Sequence, residues 1–128
     1  MRLLLDTHVF LWWVEGRDDV SRKATRAIAD AENECFVSVA SCWEMAIKLS
    51  LGKLRLDAPL QEFVPEQMAA NRFRLLPIDF RHVIGVAGLP FHHRDPFDRL
   101  LIAQAVCESM TIISADRTIK RYGVRRIW

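Results

Sequence analysis

Four acidic residues in this chain stand in contexts where carboxylates can do chemistry together. Asp6 closes the apolar run RLLL, Glu44 ends VSVASCWE, Asp116 ends TIISAD, and Asp98 lies in HRDPFDRLLIAQA. The first three fall at expected strand-to-helix junctions; Asp98 opens a long helix after a loop, so its place beside the others is an added expectation. No basic residue is adjacent to Asp6 or Glu44. Two like charges ~4 Å apart repel by about 4 kcal/mol at an effective dielectric near 20, so a converged cluster calls for protonation or a divalent cation. Oxygen-only donors favour a hard ion, Mg²⁺ or Mn²⁺, over zinc. Such an ion recruits phosphate oxygens and acidifies an attacking water, which implies phosphodiester hydrolysis.

Each acid also has a purely structural reading. Asp6 and Asp116 can cap the helices they precede. Ser41-x-x-Glu44 matches a capping box, and Glu44 can pair with Lys48 one turn on. Asp95-Pro96 reads as a cap followed by a first-turn proline, leaving Asp98 as an acid favoured by the helix dipole. Asp79, after another strand, is most simply a cap.

The elements that must position these residues alternate in type. Strands are expected at Arg2–Leu5, Cys35–Val39, Phe73–Ile78, Thr111–Ser114 and Val124–Trp128. Helices are expected at Thr7–Val14, Ser21–Asn33, Ser41–Leu51 (stopped by Gly52), Leu60–Asn71 (with Pro65 inside it), Asp79–Ala87, Asp95–Met110 and Ala115–Tyr122. A loop spans Gly88–Arg94. Strands this apolar are covered on both faces, which means an α/β fold: a parallel sheet between helix layers, with its site at the C-terminal edge of the strands. The length of 128 residues suits one domain, residues 1–128.

Composition narrows the class further. The longest strictly apolar run, Val9–Val14, is far below the ~18 residues of a membrane span, and the N-terminus is too short and acidic for a signal peptide. Cys35, Cys42 and Cys107 form no CxxC and read as reduced core residues of a cytoplasmic protein. The net charge of +2 is weak, but residues 1–64 carry 8 bases and 10 acids and residues 65–128 carry 10 and 6. From Arg117 onward there are five bases and no acid, a run that can attract a polyanion or simply be solvated.

The segments LLLDTHVFLWW, VSVASCWEMAIKLSLGKL, HHRDPFDRLLIAQA and TIISADRTIKRYGV, in this order, closely resemble PIN-domain proteins, in particular the VapC-type ribonuclease toxins of type II toxin–antitoxin pairs. The likeness covers nearly the whole chain and is weakest over residues 56–72. It implies a three-layer α/β/α sandwich with a central parallel sheet of about five strands in the order 3-2-1-4-5. It further implies Mg²⁺- or Mn²⁺-dependent endoribonuclease activity, homodimers, and inhibition by a cognate antitoxin. On the family pattern Asp6 and Asp98 are the direct metal ligands, with Glu44 and Asp116 bound directly or through water. Ser114 matches a position near the last acid that can bond the attacking water or a phosphate, and Asp95 is an additional acid, a cap or an outer participant.

Other residues are more open. His92 and His93 are poor zinc ligands, being adjacent, and read as an exposed loop from which His93 could contact RNA phosphate. Arg94, Arg99, Arg117, Lys120 and Arg121 flank the acids and could grip RNA, although Arg99 could equally pair with Asp95. One of Trp12 and Trp13 is expected in the core and the other at a dimer or antitoxin surface; Trp43 is expected in the core. Two other classes stay open: another Mg²⁺-dependent phosphohydrolase, disfavoured because the first strand lacks a DxD, and a catalytically silent RNA- or protein-binding module, disfavoured by the complete acid set.

Overall fold

The computed structural model describes residues 1–128. Five strands, β1 (Arg2–Leu5), β2 (Glu34–Ser38), β3 (Arg74–Leu76), β4 (Thr111–Ile113) and β5 (Arg126–Ile127), form one sheet in the order β3-β2-β1-β4-β5. Every pairing is parallel. Six helices, α1 (Thr7–Val14), α2 (Arg22–Ala29), α3 (Val39–Ser50), α4 (Leu60–Asn71), α5 (Phe80–Ala87) and α6 (Pro96–Glu108), and a 3₁₀ helix at Arg117–Tyr122 make the connections.

Two cores sandwich the sheet, because side chains alternate across a strand. Leu3 and Leu5 pack with Val9, Phe10, Ala24, Ile28 and Phe63 from α1, α2 and α4. Leu4 points the other way, onto Leu101, Ile102 and Ala105 of α6. All three leucines are fully buried, each worth about 2 kcal/mol of apolar transfer. The expected three-layer α/β/α sandwich and its strand order are those observed.

The boundaries differ in instructive places. Helix α3 begins at Val39, not Ser41, because Ser38 caps it: its Oγ accepts the Ala40 N–H at 3.0 Å and donates to Gln104 Oε1 at 2.6 Å. Ser41 therefore lies inside the helix and forms no capping box with Glu44, which falls in the second turn rather than at the junction. The Ala115–Tyr122 helix is a six-residue 3₁₀ turn, and β5 is shortened to two residues. Pro65 does not break α4; Phe63 and Val64 in its first turns are buried against the first core.

Candidate active site

The strand order places a topological switch between β1 and β4. From β1 the chain moves outward to β2 and β3, then returns to β4 on the other side. Crevices form at such switches, beyond the carboxyl ends of the strands, and Asp6 and Asp116 follow those two strands.

Asp6 leaves β1 still tied to the sheet, its N–H donating to Ile113 O at 3.1 Å. Its carboxylate caps α1, accepting the Val9 N–H at 2.8 Å, and is nearly buried. Burial raises its pKa above the ordinary carboxylate range, with the Ser114 hydroxyl and the Val9 N–H pulling it back. Asp116 caps the 3₁₀ helix through Thr118 N–H at 2.9 Å. Burial works against its charge, but the Thr118 N–H and the His93 ring outweigh it and hold the pKa below normal.

Glu44 reaches the same edge from within α3. Thr7 Oγ1 at the start of α1 donates to Ser41 Oγ at 2.9 Å, locking the two helices one turn from Glu44. Lys48 Nζ meets Glu44 Oε2 at 2.9 Å, as the spacing suggested. Asp98 sits in the first turn of α6, where Asp95 caps the helix by accepting the N–H groups of Phe97 and Asp98 at 2.8 and 3.1 Å. Burial, then the charge of Asp95, drive the Asp98 pKa up to about 7; Asp6 and Glu44 add to this and His93 opposes it. The charges of Asp6 and Glu44 thus bear on Asp98, and that of Asp116 on Asp6, while several of these acids also serve as caps; the structural and chemical readings coexist.

Several expected roles are corrected. Arg99 is 6% exposed and is not an RNA contact, nor does it pair with Asp95. Its guanidinium donates to the carbonyls of Pro90, His93, Val86 and Leu89 at 2.9–3.4 Å and lies 4.2 Å from the centre of the Phe91 ring, organising the loop before α6. Ser114 is fully enclosed; its Oγ accepts the Asp116 N–H at 3.0 Å, so it positions two acids rather than touching water or phosphate. His93 is no bystander on an exposed loop: its Nε2 lies 2.7 Å from Asp116 Oδ2 and 3.1 Å from Asp98 Oδ2. Trp43 is not core but 56% exposed, edge-on to Phe97 at 5.0 Å. Trp12 and Trp13 both pack, half-buried, against the first core, and Cys107 is exposed rather than internal. Arg94, Arg117, Lys120 and Arg121 are exposed.

Arg99 and His93 both lie in HHRDPFDR, and only the folded loop shows what they touch. The chemistry of the donor set fits a hard cation. Five carboxylates (Asp6, Glu44, Asp95, Asp98, Asp116) face a single paired ammonium, Lys48, and each offers hard oxygen donors. A second grouping of His82, Cys107 and Glu108 is a different matter. It lies about 15 Å along α6 from Asp98 at 1.5 Å per residue. His82 there is the reciprocal partner in the Asp79 capping box.

The family model for the PIN domain matches residues 3–125. The chain is 28% identical over 121 residues to Ribonuclease VapC22 of Mycobacterium tuberculosis, covering 94% of this chain and 91% of that protein. The fold is similar to that of VapBC2 from Rickettsia felis, solved bound to a DNA fragment from its promoter, with TM-score 0.71 and 14% identity over 98% of this chain and 97% of that one. It is also similar to VapBC-1 from nontypeable Haemophilus influenzae, with TM-score 0.66 and 14% identity over 98% and 96%.

Proposed function

The chain belongs to the PIN-domain family, and from that premise we propose that it is a Mg²⁺- or Mn²⁺-dependent endoribonuclease, the toxin of a VapC-type toxin–antitoxin pair. The observation that carries this reading is the convergence of Asp6, Glu44, Asp98 and Asp116, from four separate elements, on the switch-point rim. Its similarity to a mycobacterial protein named a ribonuclease supports the substrate class, and likeness to VapBC complexes supports the antitoxin partner.

Asp6 and Asp98 would hold the ion, with Glu44 and Asp116 binding it directly or through water. When bound, the ion supplies charge neutralisation at a phosphodiester and a water acidic enough to attack it. The protein's own part is positioning. Asp6 and Asp116 are fixed by the caps they form and by Ser114 between them, Glu44 by the Thr7–Ser41 bond, and Asp98 by the Asp95 cap. Arg94, Arg117 and Lys120 are exposed and make no ion pair, which leaves them free to contact the RNA backbone. Asp95 shapes the site through its charge on Asp98 rather than as a ligand.

A protein partner is part of the same proposal, as antitoxin and as a second copy in a homodimer. Trp43 and Ile47 on α3 with Leu51 just after it, and Phe80, Val83 and Ile84 on α5, are apolar and 37–76% exposed, the kind of surface that association covers.

The test is cleavage by purified protein freed of antitoxin. RNA is cut with Mg²⁺ or Mn²⁺ and spared with chelator, and Asp6→Asn or Asp98→Asn abolishes cutting while the circular dichroism spectrum is retained. The same substitutions cure toxicity on expression. Wild type and variants equally inert across several RNA classes would instead favour a binding module.

A further inference from the structure

His93 belongs to the acid cluster but is not among the four acids, and its environment is unusually constrained. Its backbone N–H donates to the Tyr122 hydroxyl at 2.7 Å, and its carbonyl accepts from the buried Arg99 guanidinium at 3.4 Å. Its ring Nδ1 lies 3.1 Å from the backbone nitrogen of Asp95. Its Nε2 faces Asp116 Oδ2 at 2.7 Å and Asp98 Oδ2 at 3.1 Å.

These contacts fix where the ring hydrogen is. A backbone N–H can only donate, so Nδ1 must present its lone pair to Asp95. The ring hydrogen then resides on Nε2 and is donated to Asp116 Oδ2, with Asp98 Oδ2 beside it at 3.1 Å. An imidazole that ligates an ion through Nε2 needs the opposite arrangement, a lone pair on Nε2 and the hydrogen on Nδ1. That would set two N–H groups against each other at Asp95, the residue that caps α6 and so positions Asp98. Although His93, Asp98 and Asp116 lie close enough to share an ion, the backbone speaks against the imidazole as a donor to it.

We propose that His93 is a positioning residue, not a metal ligand: its Nε2–H is donated to Asp116 and stands 3.1 Å from Asp98, orienting the first carboxylate, presenting its positive end to the second and leaving an all-oxygen donor set for the ion. No hydrogen bond occupies either carboxylate oxygen of Asp98, so this arrangement leaves that acid open. The inference rests on the metal-dependent reading above and deepens it, because excluding the ring nitrogen is what keeps the site suited to Mg²⁺ or Mn²⁺ rather than zinc.

Long-range ¹H–¹⁵N correlation of the imidazole rings in the wild-type protein, with and without Mg²⁺, tests it directly. His93 is expected as the Nε2–H tautomer in both states, while backbone amides around Asp98 shift on adding the ion. A hydrogen that moves to Nδ1 in saturating Mg²⁺ would make His93 a ligand and overturn the inference alone. No Mg²⁺-dependent change anywhere would overturn it together with the metal-dependent reading. Mn²⁺ titration of two variants adds a readout independent of cleavage. His93→Ala is expected to weaken binding about ten-fold, the usual effect of losing an outer partner of a metal ligand. His93→Gln, which keeps an N–H donor near the Nε2 position, is expected to restore most of that affinity. Equal loss in both, or none in either, would refute the donor role.

Discussion

Lys48 Nζ lies 2.9 Å from Glu44 Oε2, so the one ammonium that pairs with the acid cluster comes from the same helix as the acid it neutralises. The pair is prepaid by α3 itself, whereas Asp6 and Asp98 have no lysine or arginine partner. Glu44 is nearly buried and Lys48 about one-third exposed, which places the pair between a surface and a buried ion pair. Lys48→Met should therefore cost about 1 kcal/mol in the metal-free protein. The loss should shrink when Mg²⁺ is added, since the ion supplies positive charge to the same carboxylate. Chemical denaturation with and without Mg²⁺ measures both; an equal loss in the two conditions would show that Glu44 does not face the ion.

Stability should depend on pH through Asp98. Its pKa in the folded chain is about 7, against about 4 when unfolded, so folding retains a proton that the unfolded chain has released. The group costs nothing below about pH 4, becomes progressively destabilising as pH rises toward 7, and stays so above. Asp6 is shifted in the same direction, while the lowered pKa of Asp116 has the opposite sign and acts only under more acid conditions. The Tm advantage of Asp98→Asn over the metal-free wild type should therefore grow from about pH 5 to about pH 8. Mg²⁺, which takes the proton's place, should raise the wild-type Tm more at the higher pH. A difference independent of pH would contradict a half-buried carboxylate that no lysine or arginine offsets.

Arg99 should matter for folding rather than for RNA. Arg99→Ala leaves four carbonyls short of a donor and removes the support under Phe91, a loss of about 2–4 kcal/mol. Arg99→Lys should recover little, because one ammonium cannot replace a planar fork reaching several acceptors. Limited proteolysis should then cut within residues 88–95. RNA affinity reduced without any change in Tm would contradict this assignment.

The three thiols should react in order of exposure. Burial pushes Cys35 up to about 11 and also raises Cys42, while Cys107 is exposed. At about pH 8 roughly one Cys35 in a thousand is thiolate, so alkylation followed by mass spectrometry should label Cys107 first and Cys35 only after unfolding. Native Cys35 labelled as fast as Cys107 would contradict the packing of β2.

What the sequence determined by itself is whatever short-range physics enforces. Apolar runs of three to five residues between helix-forming segments specify covered parallel strands, and a carboxylate before a helix can find the N–H groups two or three residues on without help from the rest of the chain. That is why β1, α1 and the caps at Asp6, Asp79, Asp95 and Asp116 were legible, and why the motif order pointed to the fold. Tertiary structure decided everything that depended on partners distant in the chain. Two serines could have started α3, and Gln104, 66 residues away, selected Ser38. Arg99 looked like a hand for RNA until the folded loop turned four carbonyls toward it. Trp43 looked like core until α3 was seated with that side chain outward. His93 joined the acids only because β4 and α6 meet at the switch point. Local hydrogen bonds are written in adjacent residues, but which buried polar group meets which is settled only when packing brings them together.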